Sequence, residues 1–513
     1  MSTAEIDNAG PPLPGRDAGG YAAVPGPVDR ESFFAAQARN RRATWRLTAM
    51  CVVAVLILGL PLSAVLSPLI YGAFFLGVDV VNLVKPTPNL LERALAEIDK
   101  ADDATQTVPG VSDPSPEQVA KAALAAAAVL VPPGALALLL AFFGVRALFL
   151  RSGVGGVLLS LGAREPKMDD LEERQLVNVV AEMAIAAGVP PPRVMLLDTP
   201  APNAAAVGSS LEDGVVVVSR GLLDTLDRDE TQAILGHLIG SVANGDLKIA
   251  MTMLALFQTV GVMAVFLTSP FGPQARATLW RLIRFAFRRR GDPAEAEAVT
   301  EMLARTLSVD TGDIDNVDKG RFGKVKGIFM LPFLMAYMAF WLNQQILGAI
   351  LVGPLLAFTW RTRRYLADAT AVQLTRNPDS LLHALYHLVR QGPAVPGAGW
   401  ASYLFPVWLH KSGEKESFAA RAGIMTSLHP PLDRRARRLA RMGATVELAA
   451  QPRWTPAQRS LGYVILAPLV ALMIVLALIA AGLSLLVSLA IDMLFLFGLI
   501  VVPLHVLLRH LAG

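Results

Sequence analysis

The stretch TPAPNAAAVGSSLEDGVVVVSRGLLDTLDRDETQAILGHLIGSVANGD, residues 199–246, decides the fold of this chain. Its GVVVVS segment at 214–219 is a run of β-branched residues entered through a Glu-Asp-Gly turn, which predicts a strand. Upstream, RVMLLD at 193–198 predicts a second strand. The segment 169–187 carries apolar residues at helical spacing, has acids in its first turn and is followed by Gly188, which predicts an amphipathic helix. These elements indicate a small sheet surrounded by helices.

The chain as a whole is more apolar than soluble proteins are. Of its 513 residues 53% are hydrophobic, and the mean hydropathy is +0.48. Apolar stretches at 46–84, 122–150, 249–268, 327–360 and 460–508 each meet the roughly 20-residue length that a helix needs to cross a bilayer. The last predicts two spans around Gly482, which gives about six. The first and fourth are long enough to be tilted helices, or helices broken at Pro61 and Pro68 or at Pro354.

The fold class expected is a multi-span α-helical membrane protein with a cytoplasmic, mainly helical α+β domain that contains a small sheet. The N-terminal part is divided into a disordered Gly- and Pro-rich tail at 1–43, transmembrane segment 1 at 44–84, an extracytoplasmic loop at 85–121 and transmembrane segment 2 at 122–150. The domain follows at 151–459 and is interrupted by transmembrane segments at 249–268 and 327–360. Two C-terminal transmembrane segments lie within 460–513.

Charges around the first span indicate the orientation. Arginines precede it and acids follow it, which favours a cytoplasmic N-terminus and, two crossings later, a cytoplasmic 151–248. The basic segment WRLIRFAFRRR at 280–290 conflicts with a single crossing at 249–268. Either 280–290 is an interfacial amphipathic helix or 249–268 is re-entrant, and the sequence leaves both open.

Composition argues against nucleic-acid binding and against structures that rest on several cysteines. The net charge of +4 comes mainly from basic residues that flank apolar segments, so we expect a lipid bilayer as partner and no nucleic acid. The only cysteine, Cys51, lies in the first apolar run, so neither a disulfide framework nor a Cys-based zinc cluster is possible within the chain.

Three blocks resemble the HtpX-like family of membrane zinc metallopeptidases. Residues 199–246 are similar to the family core, with an APNA segment, an apolar strand, a Gly-Leu-Leu turn and the metal-binding helix. RRYLADATAVQLTRNPDSLLHAL at 363–385 resembles the helix that carries the third zinc ligand, and LHPPLDRRARRLARMG at 428–443 resembles the closing His-Pro element. The resemblance covers roughly residues 160–445 and implies a gluzincin-like peptidase domain.

The family's zinc site rests on His-Glu-x-x-His, because a helix places residues i and i+4 on one face and the Glu activates the zinc-bound water. The matching residues here are His237-Leu238-Ile239-Gly240-Ser241. The first histidine is retained, but Leu238 stands at the general base and Ser241 at the second ligand. The resemblance places the third ligand, a Glu in the family, at Arg364, ahead of Tyr365-Leu366-Ala367-Asp368.

These replacements remove the chemistry that the family uses. Leu238 accepts no proton and serine is a poor zinc ligand. A guanidinium roughly 4 Å from a divalent cation is repelled by about 8 kcal/mol at an effective dielectric of about 20, unless the side chain swings away to solvent. We therefore expect no catalytic residue and no bound zinc, and we interpret the chain as a pseudopeptidase.

Four further features have a structural and a functional interpretation. His237 alone is a vestigial ligand or a packed helix histidine bonded to a neighbour. His383 and His387, at i and i+4, form half of a substitute metal site or lie exposed. His429 before Pro430 and Pro431 resembles the family's His-Pro turn, for which we favour a structural role. Asp368 resembles the family's Asp beside the third ligand, although a salt bridge is as plausible given Arg363 and Arg364 nearby.

The functional hypotheses fall into three classes. The first is a non-catalytic inner- or plasma-membrane protein of bacterial type that binds peptides, membrane proteins or a related active peptidase. The VVVVS strand and the APNA segment offer a sheet edge for an extended peptide, or the valines simply pack the sheet. The second is an active zinc endopeptidase in which His237 is joined by Asp368, His383, His387 or His429. The third is a channel or transporter, which is supported only by the number of spans.

Overall fold

The computed structural model carries all 513 residues of the chain. It describes residues 59, 62–81, 83, 116–152, 154–270, 272–287, 298–299, 301–302, 323–347, 353–392, 394–396, 398–408, 428–445 and 456–512. The predicted tail at 1–43 and most of the predicted loop at 85–121 lie outside these residues.

The described elements follow the chain in this order: α1 (Leu62–Val81), α2 (Pro116–Ser152), α3 (Gly155–Leu161), β1 (Ala163–Arg164), α4 (Leu171–Ala187), β2 (Arg193–Leu197), β3 (Ala204–Val207), β4 (Val215–Ser219), α5 (Arg220–Thr225), α6 (Arg228–Ala243), α7 (Asp246–Thr268), α8 (Pro273–Phe287), α9 (Gly323–Leu347), α10 (Gly353–Thr375), α11 (Pro378–Gln391), a 3₁₀ turn (Gly399–Leu404), α12 (Leu432–Arg441), α13 (Pro456–Ile491), a π-helical stretch (Asp492–Val501) and α14 (Val502–Ala512).

Four of the described helical segments are long and apolar enough to cross a membrane. They are Leu62–Val81, Val131–Leu148, Asp246–Thr268 and Ala467–Leu508. The predicted span at 327–360 is not among them, and its described part is divided between α9 and α10. α1 continues through Pro68. The expected division at Gly482 is not seen, because α13 continues through this glycine, which costs a helix only about 1 kcal/mol relative to alanine. The number of crossings stays a prediction.

Local signals fix the helices of the domain. The amphipathic helix predicted at 169–187 is confirmed as α4, whose N-cap Asp170 accepts hydrogen bonds from the backbone of Glu172 and Glu173. It ends at Gly188, which has a left-handed φ of 67°. α6 begins with a capping box, in which Asp227 caps the amide of Glu230 and Glu230 accepts from the amide of Asp227. The chain therefore starts the candidate metal-binding helix where the sequence indicates.

The sheet has the strand order β1-β2-β4-β3. β2 and β4 are the two predicted strands and pair in parallel, while β1 and β3 join the sheet antiparallel on either side. The APNA segment leads into β3, a strand that the sequence did not predict. β4 is an inner strand whose four valines are all fully buried, so these valines pack the sheet and only β3 offers an edge on that side.

Side chains from the two faces of the sheet enter two hydrophobic cores. One core joins Val216 and Val218 to α4, α6 and α11, and contains Leu238. The other joins Val215 and Val217 to the 3₁₀ turn, to the first turns of α7 and to Trp360. Because successive residues of a strand face opposite sides, one valine run supports both. The candidate site lies where α6, α10 and the 3₁₀ turn meet beside this sheet.

Candidate functional site

α6 and α10 pack closely at the residues that the sequence comparison singled out. Gly240 makes this possible, since a Cβ at that position would lie 2.9 Å from Cβ of Thr370 and 3.2 Å from the carbonyl oxygen of Ala367. Across this contact, His237 of α6 faces Asp368 of α10. The His-x-x-x-Ser face of α6 and the Arg-x-x-x-Asp face of α10 are therefore brought together, as the resemblance implies.

The carboxylate of Asp368 lies between the imidazole of His237 and the guanidinium of Arg435. Its Oδ1 is 2.8 Å from Nδ1 of His237, and its two carboxylate oxygens accept hydrogen bonds of 2.5 and 2.9 Å from Arg435 of α12. All three side chains are buried. A salt bridge at Asp368 was expected, but its arginine is Arg435. Arg363 instead pairs with Asp246.

Burial and charge fix the protonation states of this group. The nearby Arg435 and His237 outweigh the effect of burial and hold the pKa of Asp368 well below its usual range. Burial lowers the pKa of His237 from 6.5 to about 4, against the opposing effect of Asp368. At neutral pH the carboxylate is therefore charged and the imidazole neutral, with its proton on Nδ1 facing Asp368.

This tautomer leaves Nε2 of His237 as a lone-pair donor. Nε2 is buried and has no hydrogen-bond partner among the residues that the structure describes, whereas Nδ1 lies 2.8 Å from Oδ1 of Asp368 without the alignment of a good hydrogen bond. Leu238 is fully buried in the core on the sheet side of α6, and Ser241 is also buried. The histidine is thus oriented as metal-ligating histidines are, by a carboxylate on its other nitrogen, while Leu238 adds no donor and serine is a poor ligand.

Arg364, to which the resemblance assigns the position of the third ligand, points inward and is only 3% exposed. The solvent-directed alternative considered from the sequence is wrong. Its Nη2 donates hydrogen bonds of 2.6 Å to the carbonyl of Tyr403 and 2.9 Å to that of Phe405, and its guanidinium lies 5.2 Å from the ring centre of Trp360. Burial lowers the pKa of Arg364 to about 10, so the side chain is still protonated at neutral pH.

The carbonyls that Arg364 contacts belong to residues 402–407, SYLFPV, which we call the 402–407 segment. Nε2 of His429 lies 3.1 Å from the carbonyl oxygens of Ser402 and Phe405 in the same segment. Burial lowers the pKa of His429 to about 3, so it acts as a neutral donor to these oxygens. The structural role favoured for His429 is consistent with these contacts.

His383 and His387 lie on the exposed side of α11. Nδ1 of His387 is 3.1 Å from the carboxylate of Glu230, the capping-box residue of α6. Neither histidine is brought to His237. Across the described part of the chain, no three His, Cys, Asp or Glu side chains are grouped so as to hold a metal ion. The side chains around His237 therefore do not fit a zinc ion held by three protein ligands.

Sequence reasoning missed Arg435 as a site residue, because LHPPLDRRARRLARMG was interpreted only as a block that resembles the family's closing His-Pro element. A signal was available, because Arg435 shares its helical spacing with the apolar Leu432, Ala436 and Leu439, so it lies on the inward face of α12. The carbonyls of Tyr403 and Phe405 carry no comparable sequence signal.

Comparisons with known proteins identify the family of the chain. The model of peptidase family M48 matches residues 170–442. The chain is 30% identical over 288 residues to a Protease HtpX homolog of Dictyoglomus thermophilum, covering 56% of this chain and 75% of that protein. It is 30% identical over 281 residues to the homolog of Streptococcus equi subsp. equi, covering 55% and 76%, and 29% identical over 332 residues to that of Streptococcus pneumoniae, covering 60% and 93%.

No solved structure matches the chain. The family model nevertheless spans more than half of it, from the N-cap of α4 to the end of α12, and so includes every residue of the site described above. This chain belongs to peptidase family M48, as an HtpX-like membrane member.

Proposed function

We propose that this chain is a non-catalytic member of its family, which binds extended peptide segments or membrane-protein partners and does not hydrolyse them. The observation that carries the proposal is the position of Arg364, whose buried guanidinium is bonded to backbone carbonyls where the family has a carboxylate ligand. His237 then offers one nitrogen to a metal ion. One imidazole nitrogen does not hold zinc, and Leu238 supplies no general base.

The contacts of the other polar groups support the same proposal. Asp368 is occupied by Arg435 and His237, and Asp246 by Arg363. His429 faces the carbonyls of the 402–407 segment. Recruiting any of these as a ligand would leave a buried cation or carbonyl without its partner, which typically costs several kcal/mol. Among the residues that the structure describes, no contact therefore supports the alternative of an active enzyme with a substitute ligand set.

The edge strand β3 of the sheet supports the binding of an extended segment. In the described part of the chain β3 pairs with β4 on one side only, so its other side is a candidate edge for an extended segment, which would add a strand through main-chain hydrogen bonds. The classes of partner that suit this edge are an unfolded peptide, a loop of a membrane protein or a related active peptidase. We place the domain on the cytoplasmic side of a bacterial-type inner membrane, on the grounds of the charges that flank the first span.

The test is metal content measured by mass spectrometry on the purified full-length protein, together with chelator-sensitive cleavage of casein. The wild type is expected to contain far less than one zinc per chain and to leave casein intact. The comparison protein carries Leu238→Glu, Ser241→His and Arg364→Glu together and is expected to bind more zinc than the wild type. Stoichiometric zinc in the wild type, or casein cleavage that a chelator stops, would overturn the proposal.

A further inference from the structure

Side chains from other parts of the chain hold the 402–407 segment by hydrogen bonds to its backbone carbonyls. Five of its six carbonyl oxygens accept a hydrogen bond from a side chain that lies far away in the sequence. The donors are His429 for Ser402, Arg364 and Trp360 for Tyr403, Arg364 and His429 for Phe405, Arg435 for Pro406 and Asn203 for Val407. Hydrogen bonds from arginine are the stronger ones in this set, because the donor is charged.

This segment lies beside the candidate binding edge of the sheet. Asn203, which donates to Val407, immediately precedes β3. The side chains of Tyr403 and Phe405 pack in the same core as Ala205 and Val207 of β3. Among the described residues no backbone hydrogen bond joins the segment to β3, so the segment does not extend the sheet, and its contacts with the strand are made by side chains.

Arg364 is the donor most specialised for this contact. Within the described structure it forms no ion pair, and its hydrogen bonds go to the two carbonyls of the segment. Trp360 supports the guanidinium through its ring and donates Nε1 to the carbonyl of Tyr403 at 2.9 Å. Both hydrogen bonds come from Nη2, whose two N–H groups lie in the plane of the guanidinium and therefore point in fixed directions.

We propose that the 402–407 segment is a built-in cover of the β3 edge, that Arg364 locks it in place, and that an extended partner must displace it to bind. This inference rests on the proposed binding function. An arginine in place of a metal-ligand carboxylate then has two effects. It removes a metal ligand, and it holds the 402–407 segment in place.

The lock is tested by hydrogen–deuterium exchange of full-length protein in lipid nanodiscs. Arg364→Gln keeps an amide donor and Arg364→Ala removes every donor. We expect exchange in residues 399–408 to be at least tenfold faster in Arg364→Ala than in the wild type and intermediate in Arg364→Gln. Arg174→Ala, at an exposed arginine of α4, is the matched control and should behave as the wild type.

Protection of β4 reports whether the fold is intact in each variant. If β4 also loses protection in Arg364→Ala, the comparison is made with Arg364→Gln, which changes the interior less. Unchanged exchange at 399–408 in a variant with a protected β4 would show that Arg364 is not the lock and would overturn the inference.

Fluorescein-labelled β-casein, used as an extended probe, tests displacement by fluorescence anisotropy. We expect Arg364→Ala to bind the probe at least fivefold more tightly than the wild type. If β4 of Arg364→Ala loses its protection, the same increase is expected of Arg364→Gln. A released segment with unchanged probe affinity would overturn its role as a cover. The exchange and binding readouts need neither zinc nor cleavage, so their failure is distinct from a failure of the proposed non-catalytic function, which the metal content decides.

Discussion

The carboxylate of Asp368 joins His237, whose Nδ1 is 2.8 Å away, to the guanidinium of Arg435. Three helices meet at this carboxylate, since His237 lies on α6, Asp368 on α10 and Arg435 on α12. The contact that orients a ligating histidine in a metal site is thus kept here as part of a buried ion pair.

Asp368→Asn should lower the free energy of unfolding by about 3–5 kcal/mol, because it leaves the buried guanidinium of Arg435 without its counter-charge. The measurement is denaturant or thermal unfolding of the purified protein. Asp229→Asn, at an exposed carboxylate in the first turn of α6, is the control and should change stability by less than about 1 kcal/mol. Equal losses in the two variants would contradict a structural ion pair at Asp368.

Leu238→Glu alone should destabilise the protein by at least about 2 kcal/mol, although glutamate is the residue of the active family pattern. Leu238 is fully buried in the core that joins α6 to the sheet, so a carboxylate placed there would be transferred from water into an apolar cluster. Leu238→Met keeps the volume and should cost less than about 1.5 kcal/mol. A glutamate variant as stable as the methionine variant would mean that this position faces an open cleft.

Gly240→Ala should cost about 1–3 kcal/mol by overpacking the contact between α6 and α10, because the added Cβ would lie 2.9 Å from Cβ of Thr370. Gly482→Ala is the matched control. This helical glycine has no atom within 4 Å of an added Cβ, so alanine there should be neutral or slightly stabilising. The measurement is the thermal midpoint of unfolding of each variant relative to the wild type. An unchanged midpoint for Gly240→Ala would argue against the close contact between α6 and α10.

Stability should fall as the pH drops from about 6.5 towards 4. Burial lowers the pKa of His237 to about 4 and that of His429 to about 3, from an ordinary value of 6.5. Between pH 6.5 and 4 the unfolded chain therefore binds more protons than the folded chain, so stability is fully present above 6.5 and is lost on acidification.

The thermal midpoint of unfolding measured from pH 7.5 to 4.5 tests this pH dependence. His429→Gln removes one of the two groups and should give a shallower fall than the wild type. His383→Gln, at an exposed histidine of α11, should leave the slope unchanged. A wild-type midpoint that does not move over this range would contradict the buried neutral state of both histidines.

Much of the domain was predictable because its signals are local. The cap at Asp170, the stop at Gly188 and the valine run of β4 each act within a few residues, and α4, β2 and β4 were predicted from them. β3 was missed, because Asn-Ala-Ala-Ala has little intrinsic strand preference. Its pairing with Val215–Val218 and the burial of its alanines form the strand.

The sequence by itself determined which residue types stand at the three positions that the resemblance assigns to the metal site, since His237, Ser241 and Arg364 are read directly from it. Only the tertiary structure decided where those side chains point. Arg364 turns inward because the carbonyls of Tyr403 and Phe405 meet it there, about 40 residues further along the chain, and Asp368 takes Arg435 as its partner for the same reason. A side-chain direction depends on acceptors that distant segments supply, and no local pattern encodes them.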